Sequence, residues 1–292
     1  MKKWTKVLCI TAASLIGVGL LFLICGILLG AESGVYLEKG GLKLIKAGEP
    51  FTYENLNIEK VQNVYIDVGN AKVELKPSTG NTYGLQVSLS SGENTPDIHT
   101  DNGEIRVEQK SKLRLFQIGF NFWELFNPHS NVVTIYVPEK AELSSIKIYT
   151  SNGAIETETA FTTRTVDIDT SNGKIDITGL ICKEKTQIKT SNGAVHCDGV
   201  FDGETNIKTS NGRINASGIY RGEITCKTSN GAIEFQTNLP EKAYNIETET
   251  SNGSIRVNDD KVGDDYEKHS QEAEHELKLK TSNGSISVDF LK

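Results

Sequence analysis

Four residues, Thr-Ser-Asn-Gly, occur seven times in this chain, with their glycines at Gly153, Gly173, Gly193, Gly212, Gly231, Gly253 and Gly284. The successive spacings are 20, 20, 19, 19, 22 and 31 residues. Self-similarity at such a period marks an array in which each repeat buries its apolar face on the next. Thr100-Asp101-Asn102-Gly103 reads as a degenerate eighth copy, and Asp67-Val68-Gly69-Asn70 as a more decayed one.

The residues beside each turn give the local geometry. Ile168 and Thr170 precede one turn and Ile175 and Ile177 follow it; the next copies supply Ile188, Thr190, Val195 and Cys197, then Ile207, Thr209, Ile214 and Ala216. Polar residues alternate with them: Asp169 and Asp176, Lys189 and His196, Lys208 and Asn215. Period-two alternation on both sides of a turn is the pattern of half-buried strands. Asn and Gly tolerate left-handed backbone. Each pair (Asn152-Gly153, Asn172-Gly173, Asn192-Gly193, Asn211-Gly212, Asn230-Gly231, Asn252-Gly253, Asn283-Gly284) is therefore read as a structural turn. Two architectures fit. In a β-solenoid each repeat is one coil, and equivalent residues stack about 4.8 Å apart, with Thr, Ser and Asn in ladders along one edge. In an antiparallel meander each Asn-Gly closes a hairpin. A hairpin needs only Asn-Gly, whereas stacked coils also favour identical Thr and Ser beside it, so the solenoid is preferred.

Repeated Thr-Ser-Asn-Gly turns, each followed by one variable residue and then Ile or Val, behind an N-terminal apolar helix resemble the bacterial β-strand-repeat family of candidate adhesins, a domain of unknown function. The resemblance covers roughly residues 35–292. It implies a right-handed, β-helix-like fold and a place in the cell envelope, and it brings no catalytic residues with it. The fold class expected is thus all-β: a right-handed β-solenoid of coils about 20 residues long, with one transmembrane helix.

That helix is the second constraint. Lys2, Lys3 and Lys6 form a basic tail over residues 1–6, and an uncharged run follows over residues 7–31. At about 1.5 Å per residue such a helix crosses a hydrocarbon core of about 30 Å with some tilt. A secretory signal is usually shorter, although Ala31-Glu32-Ser33 loosely resembles a cleavage site, which leaves retention or cleavage open. Cys25 follows Phe22-Leu23-Ile24, which places Ile where a lipoprotein needs a small residue. The positive-inside rule leaves the N-terminus in the cytoplasm and the bulk of the chain outside.

Without the three lysines of the tail, 28 basic residues face 38 acidic ones, a net of −10. A negative field repels phosphate backbones, so nucleic acid is not expected as a partner. Cys182, Cys197 and Cys226 are odd in number and lack metal-ligand spacing. Cys197 and Cys226 fall where other repeats carry core residues and read as small buried hydrophobes.

Residues 32–140 read as N-terminal coils or a cap, and residues 141–292 as the repeat solenoid. Two stretches interrupt them. Residues 111–130 gather Phe116, Phe120, Phe122, Trp123 and Phe126, which either cover an open end of the stack or form an apolar patch for a partner. Residues 258–276 are nearly all polar and read as an exposed loop. Asp259, Asp260, Asp264 and Asp265 fail an EF-hand register from Asn258, because Val262 falls on a ligand position and His269 replaces the closing acid. His269, Glu272 and His275 have the donors for only a weak metal contact, so neither metal nor cofactor is expected.

Glycan-cleaving solenoids need two carboxylates, or an acid and a base, on one face. Asp169, Asp176 and Lys189 are the nearest approach to such a cluster. The outward series Glu156, Asp176, His196, Asn215 and Glu234 changes type at each step, as a solvated face does. Phosphate loops, zinc signatures and nucleophile elbows are missing from the sequence. The expected role is a non-enzymatic, membrane-anchored envelope scaffold for binding, adhesion or stress sensing, with a cell-wall polymer or envelope protein as partner. A wall-polysaccharide enzyme of β-helix type and a structural accessory subunit of a membrane complex are the alternatives.

Overall fold

A computed structural model of the chain describes residues 3–28, 34–38, 41–45, 51–89, 95–109, 116–119 and 131–290. Two compact units emerge, residues 1–49 with 112–128, and residues 50–111 with 129–292. In the first, a helix spans Lys3–Leu28, and its apolar residues, Leu15, Leu21 and Phe22 among them, are exposed. Its stretch Trp4–Phe22 is long and apolar enough to cross a membrane. The strand Gly34–Glu38 pairs antiparallel with Gly41–Ile45 on one side and Phe116–Gly119 on the other. Phe116 thus lies in a strand, while Phe120, Phe122, Trp123 and Phe126 lie outside the described residues.

The second unit is one sheet of 22 strands whose central ladders are parallel. Before each turn, Ile66, Ile148, Ile168, Ile188, Ile207 and Cys226 pair in succession. After each turn the column is Val73, Ile155, Ile175, Val195, Ile214 and Ile233. All twelve are buried. Equivalent residues of successive repeats are therefore direct strand neighbours, which decides against the antiparallel meander. A strand residue buried at 25 cal/mol per Å² contributes roughly 1.5–3 kcal/mol, so two unbroken apolar columns are the main stabilising feature of the stack.

Stacking follows chain order only as far as residue 237. The strand Glu223–Lys227 pairs next with His275–Asn283, and that strand pairs in turn with Tyr244–Asn252. On the other side of the turn, Ile233–Thr237 pairs with Ile286–Phe290, which pairs with Ile255–Val257. The last repeat is thus inserted between the two that precede it. Residues 258–276, expected to be a bare loop, carry the strands Asp260–Gly263 and Asp265–Lys268, which pair antiparallel with the outermost repeat. At the other end, Phe51–Ile58, Tyr83–Leu89 and Asp97–His99 run antiparallel to their neighbours. Antiparallel strands thus close the exposed ladder edges, which would otherwise pair with other chains.

The interior also carries aromatic and polar columns. Phe201, Tyr220, Phe235 and Tyr244 follow one another with centroids 4.8, 5.1 and 6.5 Å apart. The Tyr220 hydroxyl donates to the Cys197 carbonyl at 2.9 Å and that of Tyr244 to the Tyr220 carbonyl at 2.6 Å, so neither phenol is buried unsatisfied. Thr186 and Thr205 differ: both are buried on adjacent strands, and neither hydroxyl has a hydrogen-bond partner among the described residues. Val166 already occupies the same column beside Thr186. Thr186→Val removes an unpaired buried hydroxyl at almost constant shape, and should stabilise the fold by about 1 kcal/mol. A melting temperature below that of the wild type would contradict this reading of the column.

Candidate functional site

The seven turns form one corner of the stack, and each residue of Thr-Ser-Asn-Gly has a separate task there. Threonine is buried, and its hydroxyl donates to a carbonyl of the adjacent coil. Thr170 reaches Gly153 at 3.1 Å, Thr190 reaches Gly173 at 3.1 Å and Thr209 reaches Gly193 at 3.0 Å. Thr150, Thr228, Thr281 and Thr250 do the same to Ala71, Gly212, Gly231 and Gly284. Asparagine does two jobs. Its backbone amide bonds the serine carbonyl of the next coil, as from Asn192 to Ser171 at 2.9 Å. Its side-chain amide donates to the neighbouring asparagine, giving an unbroken series Asn70, Asn152, Asn172, Asn192, Asn211, Asn230, Asn283 and Asn252. The register puts Val68 beside Thr150 and Asn70 beside Asn152, so the decayed copy spans residues 68–71, one residue later than the expected 67–70.

Glycine is required for a reason other than the one expected. Among the described residues, none of the seven turn glycines has positive φ, and neither do their asparagines. The constraint is close approach: a Cβ on Gly193 would stand 1.9 Å from the Gly173 carbonyl oxygen, and on Gly173 it would stand 1.8 Å from that of Gly153. The left-handed Asn-Gly pair occurs instead at Asn102 (φ 51°) and Gly103 (φ 77°). There the strands Asp97–His99 and Glu104–Glu108 pair antiparallel, so Thr100–Gly103 is a hairpin turn and not an eighth coil corner. The threonines stack in a ladder, Thr150 beside Thr170 and Thr170 beside Thr190, and their hydroxyls bond to backbone.

Outward columns flank this corner. On the strand after it, Glu156, Asp176, His196, Asn215 and Glu234 stack as the sequence predicts. Lys72, Lys174 and Arg213 neutralise Glu156, Asp176 and Glu234 in turn. On the strand before the corner, Asp169 pairs with Lys189 at 3.3 Å. Asp169 and Asp176 therefore belong to separate, exposed ion pairs on opposite sides of the turn, and Asp169, Asp176 and Lys189 do not converge on one reacting centre.

Burial raises the thiols of Cys197 and Cys226 above the usual range, that of Cys226 to about 12, so both stay protonated. Cys182, Cys197 and Cys226 are free and buried, in keeping with small core residues. Burial first, then the hydrogen bond to Asp167 at 2.6 Å, raises the Tyr149 hydroxyl. Among the described residues no group of His, Cys, Asp and Glu has the arrangement to hold a metal ion.

The Toastrack DUF4097 family model matches residues 61–258 and, overlapping, residues 163–289. Among solved structures, the chain is similar to a candidate adhesin from Bacteroides fragilis NCTC 9343, with 15% identity, 83% of this chain and 98% of that chain covered, and a TM-score of 0.49. It is similar to a candidate cell adhesion protein from Clostridium sporogenes ATCC 15579, with 12% identity, 83% and 100% coverage and a TM-score of 0.37. A candidate lipid-binding protein from Parabacteroides distasonis ATCC 8503 shares 15% identity, over 84% and 98% of the two chains, with a TM-score of 0.36. No curated protein matches the chain.

Proposed function

The chain belongs to the Toastrack DUF4097 family, and from that premise we propose that it is a non-enzymatic, membrane-anchored envelope protein whose repeat stack is a rigid extracytoplasmic scaffold for binding, adhesion or envelope-stress sensing. The apolar helix stays in the membrane with Lys2, Lys3 and Lys6 on the cytoplasmic side. The coils, about 20 residues long, wind right-handed, the hand that parallel crossovers overwhelmingly take.

The observation that carries this reading is the corner itself. Seven threonine-to-carbonyl bonds and seven asparagine-to-asparagine bonds tie every coil to its neighbours. A surface held this way has little conformational entropy left to lose when a partner binds, which suits a scaffold for a cell-wall polymer or an envelope protein. The separate neutralisation of Asp169 and Asp176 supports a non-enzymatic role.

Two measurements test the reading. Detergent-solubilised full chain should co-sediment with isolated cell wall, and failure to do so would remove the wall-binding role. Protease added to intact, wall-stripped cells should degrade the chain beyond about residue 35 while the basic tail is protected. Protection of the Thr-Ser-Asn-Gly region would reverse the topology.

A further inference from the structure

Lysine precedes four of the seven turns, at Lys189, Lys208, Lys227 and Lys280. The ladder pairs them in that order, Lys189 with Lys208, Lys208 with Lys227, and Lys227 with Lys280. Four exposed ammonium groups therefore leave adjacent strands, about 4.8 Å from one to the next. Asp169 pairs with the lysine at one end of the row and Glu249 with the lysine at the other. Lys208 and Lys227, in the middle, have no ion-pair partner among the described residues.

The inserted last repeat extends this row from three lysines to four. Had the final two repeats stacked in chain order, Glu249 would lie between Lys227 and Lys280 and alternate with them in sign. Insertion places Lys280 beside Lys227 and moves Glu249 to the end. Like charges opposite one another on neighbouring strands are destabilising. Composition does not impose them, because the chain beyond the basic tail is acidic. A local rule broken with no gain to the fold is the mark of a functional surface. Alongside run Ser191, Ser210, Ser229 and Ser282, whose hydroxyls make no hydrogen bond to another described residue, and then the asparagine series.

We propose that the row Lys189, Lys208, Lys227 and Lys280 binds a linear polymer with phosphodiester charges, laid along the axis of the stack. The proposal rests on the scaffold reading above and gives its partner a chemistry. Cations repeated in a straight line complement an extended polyanion better than a compact ion. Lysine binds phosphate as a compact point charge with rotatable donors, a mode that needs no fixed bidentate geometry and suits charges repeated along a flexible chain. Free serine hydroxyls beside it add donors for phosphate oxygens.

Fluorescently labelled poly(glycerol phosphate), titrated with the detergent-solubilised full chain, tests this. With four lysines engaged, affinity should fall on the order of 50-fold between about 50 and about 200 mM salt, through counterion release. The double variant Lys208→Gln/Lys227→Gln should bind at least about tenfold more weakly at low salt, with about half the salt slope. It should melt no lower than wild type, because repulsion has been relieved. Lys147→Gln, which alters a lysine outside the row, should bind like wild type. No binding by wild type, or equal binding by the double variant, overturns the proposal, as does preference for polygalacturonate or for phosphatidylglycerol vesicles. Isolated wall separates the two readings: if it binds wild type and double variant alike, the row is not the contact while the scaffold stands. If wild type binds neither wall nor polymer, both readings fall.

Discussion

Gly193→Ala should destabilise the repeat unit by about 3 kcal/mol or more, the upper end of what overpacking costs. One added methyl would stand 1.9 Å from the Gly173 carbonyl oxygen and 3.0 Å from the Thr190 hydroxyl oxygen. That carbonyl is the acceptor for Thr190, so the shift that makes room also disrupts a buried hydrogen bond. Because the obstacle is backbone, no rotamer change relieves it. Gly80→Ala is the matched comparison, since nothing lies within 4 Å of a Cβ there and its φ is not positive. It should leave stability unchanged or raise it by about 0.4–1 kcal/mol through the unfolded chain. Chemical denaturation of both variants checks the pair, and equal midpoints for Gly193→Ala and wild type would refute close approach as the reason for the glycine.

Ile188 and Ile207 give the second large effect. They are paired on adjacent strands and have no exposed surface. Truncating either to Ala should cost roughly 2–5 kcal/mol, from lost burial and a residual cavity. The double variant should depart from additivity by about 0.5–3 kcal/mol, because both truncations open the same stretch of core. Additive energies would mean that the two side chains do not share a cavity, against the observed register.

Much of this was legible in the chain itself. Alternation around residues 168–177, 188–197 and 207–216 separates inward from outward positions, and the repeat spacing equals the register offset of the ladders. The outward series from Glu156 to Glu234 follows from that spacing alone. The role of the turn glycines does not. Positive φ and close approach both demand Gly, and only the position of the neighbouring carbonyl separates them. For the same reason Asn102-Gly103 and Asn152-Gly153 look alike in sequence, yet one is a hairpin and the other a coil corner.

The order of the last two repeats is likewise hidden from sequence. Both carry the same tetrapeptide and would offer Glu223–Lys227 the same backbone bonds, so pairing preferences do not rank them. Even the strands Asp260–Gly263 and Asp265–Lys268 escape notice, since each is four residues long and packs one apolar side chain, Val262 or Tyr266, against the core, too few to show a period. The lysine row was legible in part: Lys189, Lys208 and Lys227 follow from the repeat spacing, whereas the place of Lys280 beside Lys227 depends on the insertion.

That insertion also governs how the molecule is completed. Residues 275–290 are the last of the described residues to leave a ribosome or an export channel, and their destination has neighbours on both sides. Until they arrive, the repeat at 244–257 has the same backbone bonds to offer Glu223–Lys227. A chain cut short near residue 270 lacks a rung from the inside, and its repeat at 244–257 is free to dock directly on Glu223–Lys227. In that shortened stack Glu249 takes the position beside Lys227 that Lys280 holds here, so the run of like charges ends after three lysines.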